Sequence, residues 1–80
     1  MELKKLKSLA IAESGYIFDP RSGNSYTANE TALFIIEQLK NGKSSEEVQA
    51  ALTEEYDVDS NSAEMDTIRL IEQLQSNYLV

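Results

Sequence analysis

The sequence of 80 residues contains no cysteine and no histidine. Without cysteine, the chain can form neither a disulfide bond nor a thiolate metal site. Without histidine, it lacks the usual general base near neutral pH and the commonest metal-binding side chain. An enzyme of this length would then depend on a lysine or on a pair of carboxylates. We therefore expect a protein that is not an enzyme and that uses neither a cofactor nor a metal ion.

Long apolar segments are also missing. The apolar run that follows the N-terminal lysines extends only from Leu9 to Ala12, which is too short for the core of a signal peptide or for a membrane span. The expectation is a cytoplasmic protein with no membrane partner. The hydrophobic content of 41% is ordinary for a folded protein, and the length suits one small domain over residues 1–80.

Positive charge is scarce and unevenly placed. The net charge is −7, and the stretch from Ser44 to Ile68 carries eight acidic residues and no basic one. Proteins that bind nucleic acid neutralise phosphates with lysine and arginine, so we expect no nucleic-acid partner. The acidic stretch is typical of a solvated surface, and it would also suit docking of a basic partner.

Three short strands are predicted in a meander over about residues 7–28. The alternation of Leu9 and Ile11 favours a first strand, and the aromatic and β-branched residues Tyr16–Phe18 favour a second. Asp19–Asn24 has the proline, glycine and asparagine of a tight turn, which returns the chain as an antiparallel strand over Ser25–Ala28. This third strand has a free backbone edge beside a helix, and such an edge can bind an extended peptide.

Three helices are predicted over about residues 30–41, 44–56 and 62–76. Asn29 is a suitable N-cap for the first helix, Ser44 with Glu47 forms a capping box for the second, and Asn61 or Ser62 begins the third. The fold class is therefore α+β, with an N-terminal three-stranded antiparallel sheet followed by three helices.

The third helix is apolar over a wider arc than one core contact needs. Leu70, Ile71 and Leu74 cluster on one side, while Met65 and Ile68 project roughly 60 to 120° away from that cluster at 100° per residue. Two interpretations are open. The helix is well buried in a small protein, or its extra apolar surface forms one wall of a shallow groove.

One stretch imitates a calcium-binding loop. Asp57, Asp59 and Asn61 have the spacing that opens an EF-hand loop. Such a loop requires glycine at its sixth position and a bidentate glutamate at its twelfth. Here those positions are Ser62 and Ile68. We interpret these residues as loop and helix-capping residues and expect no metal site.

Several motifs, in this order and spacing, resemble the PqqD family. They are a strand that ends in an asparagine helix cap (Tyr26–Asn29), a helix break (Gly42–Ser44) and a Tyr-Asp-Val motif (Tyr56–Val58). The similarity extends from about Tyr16 to Val80. The resemblance implies a winged-helix-like fold with a three-stranded sheet and three helices. It also implies a non-catalytic peptide chaperone.

In that family, the leader of a ribosomally made precursor peptide pairs with the third strand and lies against the third helix. The complex is presented to a modifying enzyme, often a radical SAM enzyme, as in the biosynthesis of pyrroloquinoline quinone. The peptide-binding residues implied for this chain are Ser25, Tyr26, Thr27 and Ala28 on the strand and Met65, Ile68, Arg69 and Glu72 on the helix. Ala28 departs from the family, which usually has a larger aliphatic residue before the asparagine.

Two alternatives belong to other classes. One is a winged-helix nucleic-acid binder, although the third helix has Arg69 as its single basic residue. The other is a structural module whose free strand edge pairs with a second copy of the chain, which would make a homodimer.

Overall fold

The computed structural model describes residues 3–80, and it confirms an α+β fold in which a three-stranded antiparallel sheet precedes three long helices. The first two residues of the predicted domain lie outside the described residues. The elements are α1 (Lys4–Lys7), β1 (Ala10–Ile11), β2 (Tyr16–Phe18), β3 (Ser25–Thr27), α2 (Glu30–Lys40), α3 (Ser45–Glu55) and α4 (Ser60–Ser76).

The one-turn helix α1 was not predicted. Four residues are too few to show a helical period, and three of the four are lysines. Tertiary packing explains it, because Leu6 of this turn is fully buried in the core.

The sheet has the order β1-β2-β3, and both of its strand pairs are antiparallel. Gly15 fixes the junction between β1 and β2. Its φ is +99°, and a Cβ added there would collide with the carbonyl oxygen of Ala28. The Ala28 N–H in turn donates to the Gly15 carbonyl at 2.8 Å. Position 15 therefore requires a residue without a side chain, because Ala28 at the end of β3 lies directly against it.

The turn between β2 and β3 is built around Asp19, which is almost fully buried. Its carboxylate accepts hydrogen bonds from the Arg21 N–H at 3.0 Å and from the Ser22 hydroxyl at 2.9 Å. The Asp19 N–H donates to the Asn24 carbonyl at 2.9 Å. These bonds hold the turn that places Ser25 at the start of β3.

Side chains cap the three long helices. Asn29 accepts from the Ala32 N–H at 2.8 Å, and Ser44 and Glu47 form the complete capping box, so both predicted caps are confirmed. The predicted start of α4 at residue 62 was two residues late. Asp59 is the cap and accepts from the Ser62 N–H at 2.7 Å, because aspartate caps as well as asparagine or serine does.

Two of these caps carry charge. Hydrogen bonds from the Ser44 backbone and side chain, in that order, lower the pKa of Glu47. The pKa of Asp59 is lowered mainly by a hydrogen bond from the Ser62 backbone. Both carboxylates are therefore held in the ionised form at the positive ends of their helices.

The core lies between the inner face of the sheet and the three long helices. Its fully buried residues include Ile35 and Leu39 of α2, Val48 and Leu52 of α3, and Ala63 of α4. The C-terminal tail returns to the body of the domain at Leu79. This side chain is buried, and its N–H donates to the Leu74 carbonyl at 2.8 Å. Tyr78 is 77% exposed.

Candidate functional site

The free edge of β3 is defined by the direction of its backbone groups. Ile17 faces Tyr26, and the hydrogen bonds at Gly15–Ala28 and Asp19–Asn24 lie two residues to either side of that pair. Hydrogen-bonded pairs alternate along an antiparallel ladder. The backbone groups of Tyr26 therefore point to β2, whereas those of Ser25 and Thr27 point to the open edge. Two residues of β3 thus present N–H and C=O groups that could pair with an added strand.

A groove separates this edge from α4. We call it the β3 groove; it has a volume of about 300 Å³. Tyr26, Thr27 and Ala28 form its strand side, and Ile17, Leu9, Ile36 and Leu79 contribute to its base. The helix side consists of Leu70, Gln73, Leu74 and Asn77. All of the side chains that line it are uncharged.

The groove continues past the end of β3. Leu70 and Gln73 also line a second hollow of about 240 Å³, which reaches the N-terminus of α2 at Asn29. Asp66 and Arg69 provide the charges of this extension. An extended segment lying along β3 would therefore pass from an apolar section into one with a carboxylate and a guanidinium.

The structure brings together part of the predicted site. Tyr26, Thr27 and Ala28 line the β3 groove, Ser25 is exposed at the start of the same edge, and Arg69 lines the extension. Thr27 has an exposed side chain, whereas Tyr26 and Ala28 are half-buried. This alternation matches a strand with one face toward α4 and the other toward solvent.

The remaining three predicted residues lie on another face of α4. Met65 and Ile68 are 45% and 42% exposed, and Glu72 is also exposed. None of the three lines the groove or its extension. At 100° per residue, their direction is roughly 130° away from that of Asp66, Gln73 and Asn77. Contact between them and a peptide stays a prediction.

The sequence assigned Leu70 and Leu74 to the core and did not identify them as groove residues. Leu74 is buried, but Leu70 is only half-buried, and both line the β3 groove. Gln73 and Asn77 were missed because uncharged polar side chains give no periodic apolar signal. Their spacing from Leu70 and Leu74, within one or two turns, was the available clue.

The described residues also bear on other kinds of site. Within residues 3–80, acidic side chains do not gather in a group of three or more that could hold a metal ion. Over the same range, every helix is too short or too polar to cross a bilayer.

Two comparisons with known proteins give matches over most of the chain. The family model described as coenzyme PQQ synthesis protein D (PqqD) matches residues 15–80. Among solved structures, the chain is similar to lasso peptide synthetase B1 complexed with the leader peptide. The TM-score is 0.76 and the sequence identity 37%, over 88% of this chain and 84% of that one. No curated protein matches.

Proposed function

The chain belongs to the PqqD family, and we propose that it is a non-catalytic peptide chaperone whose β3 groove binds the leader of a precursor peptide. The observation that carries this proposal is the free β3 edge beside an apolar groove. A solved relative of the same fold, lasso peptide synthetase B1, is complexed with a leader peptide, and this supports the assignment of the ligand class.

Binding would begin with backbone pairing. A peptide strand placed beside β3 would form hydrogen bonds with the N–H and C=O groups of Ser25 and Thr27, which point to the open edge. These bonds do not depend on the peptide's side chains, so they supply affinity without selecting a sequence.

Selection would come from the side chains that face α4. Alternate residues of an added strand point into the groove between Ala28 and the Leu70–Leu74 turn of the helix. The uncharged lining favours apolar or small polar peptide side chains there. Ala28 has a small side chain, so the groove beside it has room for a larger peptide residue.

The partner that receives the bound peptide would be a modifying enzyme, and a radical SAM enzyme is the partner that family resemblance suggests. The chain itself would contribute binding and orientation. In this proposal Arg69 contacts the part of the peptide that lies over the groove extension. Met65, Ile68 and Glu72 would contact a peptide only where it crosses the exposed face of α4.

The test uses a leader segment of a precursor peptide, where the genome encodes one beside the gene for this protein. Titration into the ¹⁵N-labelled protein should shift the amide signals of Ser25–Ala28 and of Leu70–Asn77. Shifts at Met65, Ile68 and Glu72 would extend the site to the outer face of α4, and their absence would confine it to the groove. Saturating shifts that leave both β3 and the groove wall unchanged would refute the proposal.

A matched pair of variants isolates the backbone contribution. Thr27→Pro removes an outward N–H at an edge strand, where proline is tolerated, and it should weaken leader binding at least tenfold, roughly the effect of one lost hydrogen bond and a steric conflict. Thr27→Ala keeps the N–H and should bind within about twofold of the parent. Equal affinity of the two variants would exclude strand pairing at this edge.

Self-association through β3 is the competing use of the same edge. Sedimentation velocity over a range of concentrations measures it. A dimer that alters the amide signals of Ser25–Ala28 and persists at saturating leader peptide would show that the edge serves assembly and not peptide capture.

A further inference from the structure

The sheet has a second free edge, along β1. The Ala12 N–H donates to the Tyr16 carbonyl at 2.9 Å, and Ile11 faces Ile17 in the next pair. Because hydrogen-bonded pairs alternate, the backbone groups of Ile11 point away from β2. In the sheet order β1-β2-β3, this direction leads to the edge opposite β3.

An apolar hollow lies beside this second edge. We call it the β1 hollow; it has a volume of about 600 Å³, about twice that of the β3 groove. Its apolar surface comes from the β1 segment, the outer face of α2 and the end of α3. The apolar residues are Leu9, Ile11, Ala12, Leu33, Phe34 and Tyr56. The rings of Phe34 and Tyr56 meet edge to face, with their centroids 5.5 Å apart, which gives the hollow a firm aromatic side.

The rim of the β1 hollow is acidic. Glu13, Glu30 and Glu37 line it, and Lys40 is the basic residue among its lining side chains. Glu30, Leu33 and Glu37 recur at helical spacing, so the two carboxylates lie on the same face of α2 as the apolar surface between them. A ligand that enters this hollow meets apolar surface between negative charges.

The pKa of Tyr56 reflects burial and the negative charge around the hollow. Its hydroxyl lies 3.5 Å from a carboxylate oxygen of Glu30. Partial removal of the phenol from water raises the pKa of Tyr56, and the carboxylates of Glu30 and Glu55 raise it further. The two carboxylates disfavour a negative charge in the hollow and favour a positive one, whereas the loss of contact with water disfavours charge of either sign.

We propose that the β1 hollow is a second docking site, which binds a segment of a partner protein that carries an apolar side chain flanked by lysine or arginine. The apolar side chain contacts Leu33 and Phe34, and the cationic groups lie against Glu30 and Glu37. Backbone pairing with Ile11 adds to these contacts where the segment is extended. Charge complementarity with a rim of three carboxylates and one ammonium determines the class of partner.

The two sites can be filled at the same time. β1 and β3 are separated by β2, so their edges lie roughly 10 Å apart at the strand spacing of a sheet, and they face in opposite directions. A leader peptide in the β3 groove leaves the β1 hollow open. A basic segment of the enzyme that receives the peptide is one partner with the required chemistry, but the charge and shape of the hollow do not depend on the proposed role of β3.

The test uses a synthetic peptide with leucine and phenylalanine at its centre and two lysines at each end. Titration to millimolar concentration should shift the signals of Ile11, Leu33, Phe34 and Tyr56 in a saturable way. A control peptide with glutamates in place of the lysines should bind at least tenfold more weakly. Saturation of the β3 groove with leader peptide should change the affinity for the lysine peptide by less than about twofold.

A matched set of variants checks the charge. Glu30→Gln with Glu37→Gln should weaken the lysine peptide about three- to tenfold, the effect of two exposed ion pairs. Glu46→Gln with Glu54→Gln makes the same change in net charge on exposed positions of α3 that do not line the hollow. This control should bind the lysine peptide as the parent does.

Several results would overturn the proposal. They are equal affinity of the lysine and glutamate peptides, equal loss in the two double variants, and no saturable shift in the β1 hollow. Shifts confined to the β3 groove would assign the probe to the leader site. A concentration-dependent dimer that alters the signals of Leu33 and Tyr56 without any peptide would make a second copy of the chain the occupant.

Discussion

The two edges of this sheet have different neighbours. At β3, a three-residue strand lies beside α4 across an uncharged groove. At β1, a two-residue strand lies beside α2 and a hollow whose rim has three carboxylates. A small sheet exposes backbone groups along both of its outer edges. In this protein, the helices packed beside the two edges make them chemically distinct. Under the two proposals above, the β3 edge would bind ligands mainly through their backbone, whereas the β1 edge would select them by their charge.

The largest expected effect on stability comes from a substitution that disturbs both edges of the sheet together. Gly15→Ala places a Cβ against the Ala28 carbonyl at a φ of +99°, and we expect a loss of about 2 to 4 kcal/mol in the free energy of unfolding. Urea denaturation measures this loss. Gly23→Ala is the control, since a Cβ at Gly23 meets no atom within 4 Å. It retains the strain of a positive φ, so it should cost less; an equal loss would contradict the role of the Ala28 contact.

A pair of leucine truncations sharpens the comparison. Leu70 lines the β3 groove and Leu33 the β1 hollow, and both are half-buried. Each alanine variant should lose roughly 1 to 2 kcal/mol of stability, less than a fully buried leucine would. Leu70→Ala should weaken leader binding about fivefold and leave the lysine peptide unaffected, and Leu33→Ala should do the reverse. Isothermal titration of both variants with both peptides gives the four affinities. A variant that weakens both ligands equally would show that the sites are not independent.

A smaller effect on stability concerns the buried side of α4. This helix lines the β3 groove but not the β1 hollow. The Thr67 hydroxyl is buried and has no hydrogen-bond partner. Thr67→Val removes this unpaired oxygen at nearly constant shape and should stabilise the fold by about 1 kcal/mol. The melting temperature should rise by roughly 4 to 8 °C for a domain of this size. Thr53→Val is the control, because the Thr53 hydroxyl donates to the Ala50 carbonyl at 2.8 Å. A similar rise in that variant would assign the gain to side-chain hydrophobicity and not to the unpaired oxygen.

The smallest effect distinguishes the helices beside the two sites by pH. Asp59 caps α4, and its pKa is lowered in the folded state. Its contribution to stability is therefore present above the unfolded pKa and is lost as the pH falls through the lowered folded value. Asn29 caps α2 and does not titrate. The protection factor of the Ser62 amide, which corrects for the pH dependence of intrinsic exchange, should thus fall on acidification before that of the Ala32 amide does. Asp59→Asn should abolish the difference in pH dependence, and its persistence would implicate another group.

The local elements followed from the sequence more completely than the site did. Tyr16–Phe18, the turn at Asp19 and the caps at Asn29 and Ser44 depend on neighbouring residues, and each matches its prediction. The start of α4 was misplaced because three residues within a span of four, Asp59, Asn61 and Ser62, can all cap a helix. α1 depends on the burial of Leu6, which is a tertiary contact.

The groove wall could not be read from helical periodicity alone. The period showed that α4 has more apolar surface than one contact requires, but the side that lies beside β3 depends on how the helix packs. The structure places Leu70, Gln73 and Asn77 there, and it directs Met65 and Ile68 elsewhere. The β1 hollow was missed for a similar reason. It joins residues from β1, α2 and the end of α3, whose proximity is set by the tertiary fold.

The alternation of backbone direction along β3 has a consequence for how a bound peptide can move. Ser25 and Thr27 offer hydrogen bonds to the open edge, and Tyr26 between them does not. A shift of the peptide by one residue would turn its apolar side chains from the groove to solvent, whereas a shift by two would restore both the pairing and the facing. A peptide bound to this edge would therefore change register in steps of two residues, about 7 Å of chain at a time. The part of the peptide that reaches an enzyme would therefore also shift by two residues at a time.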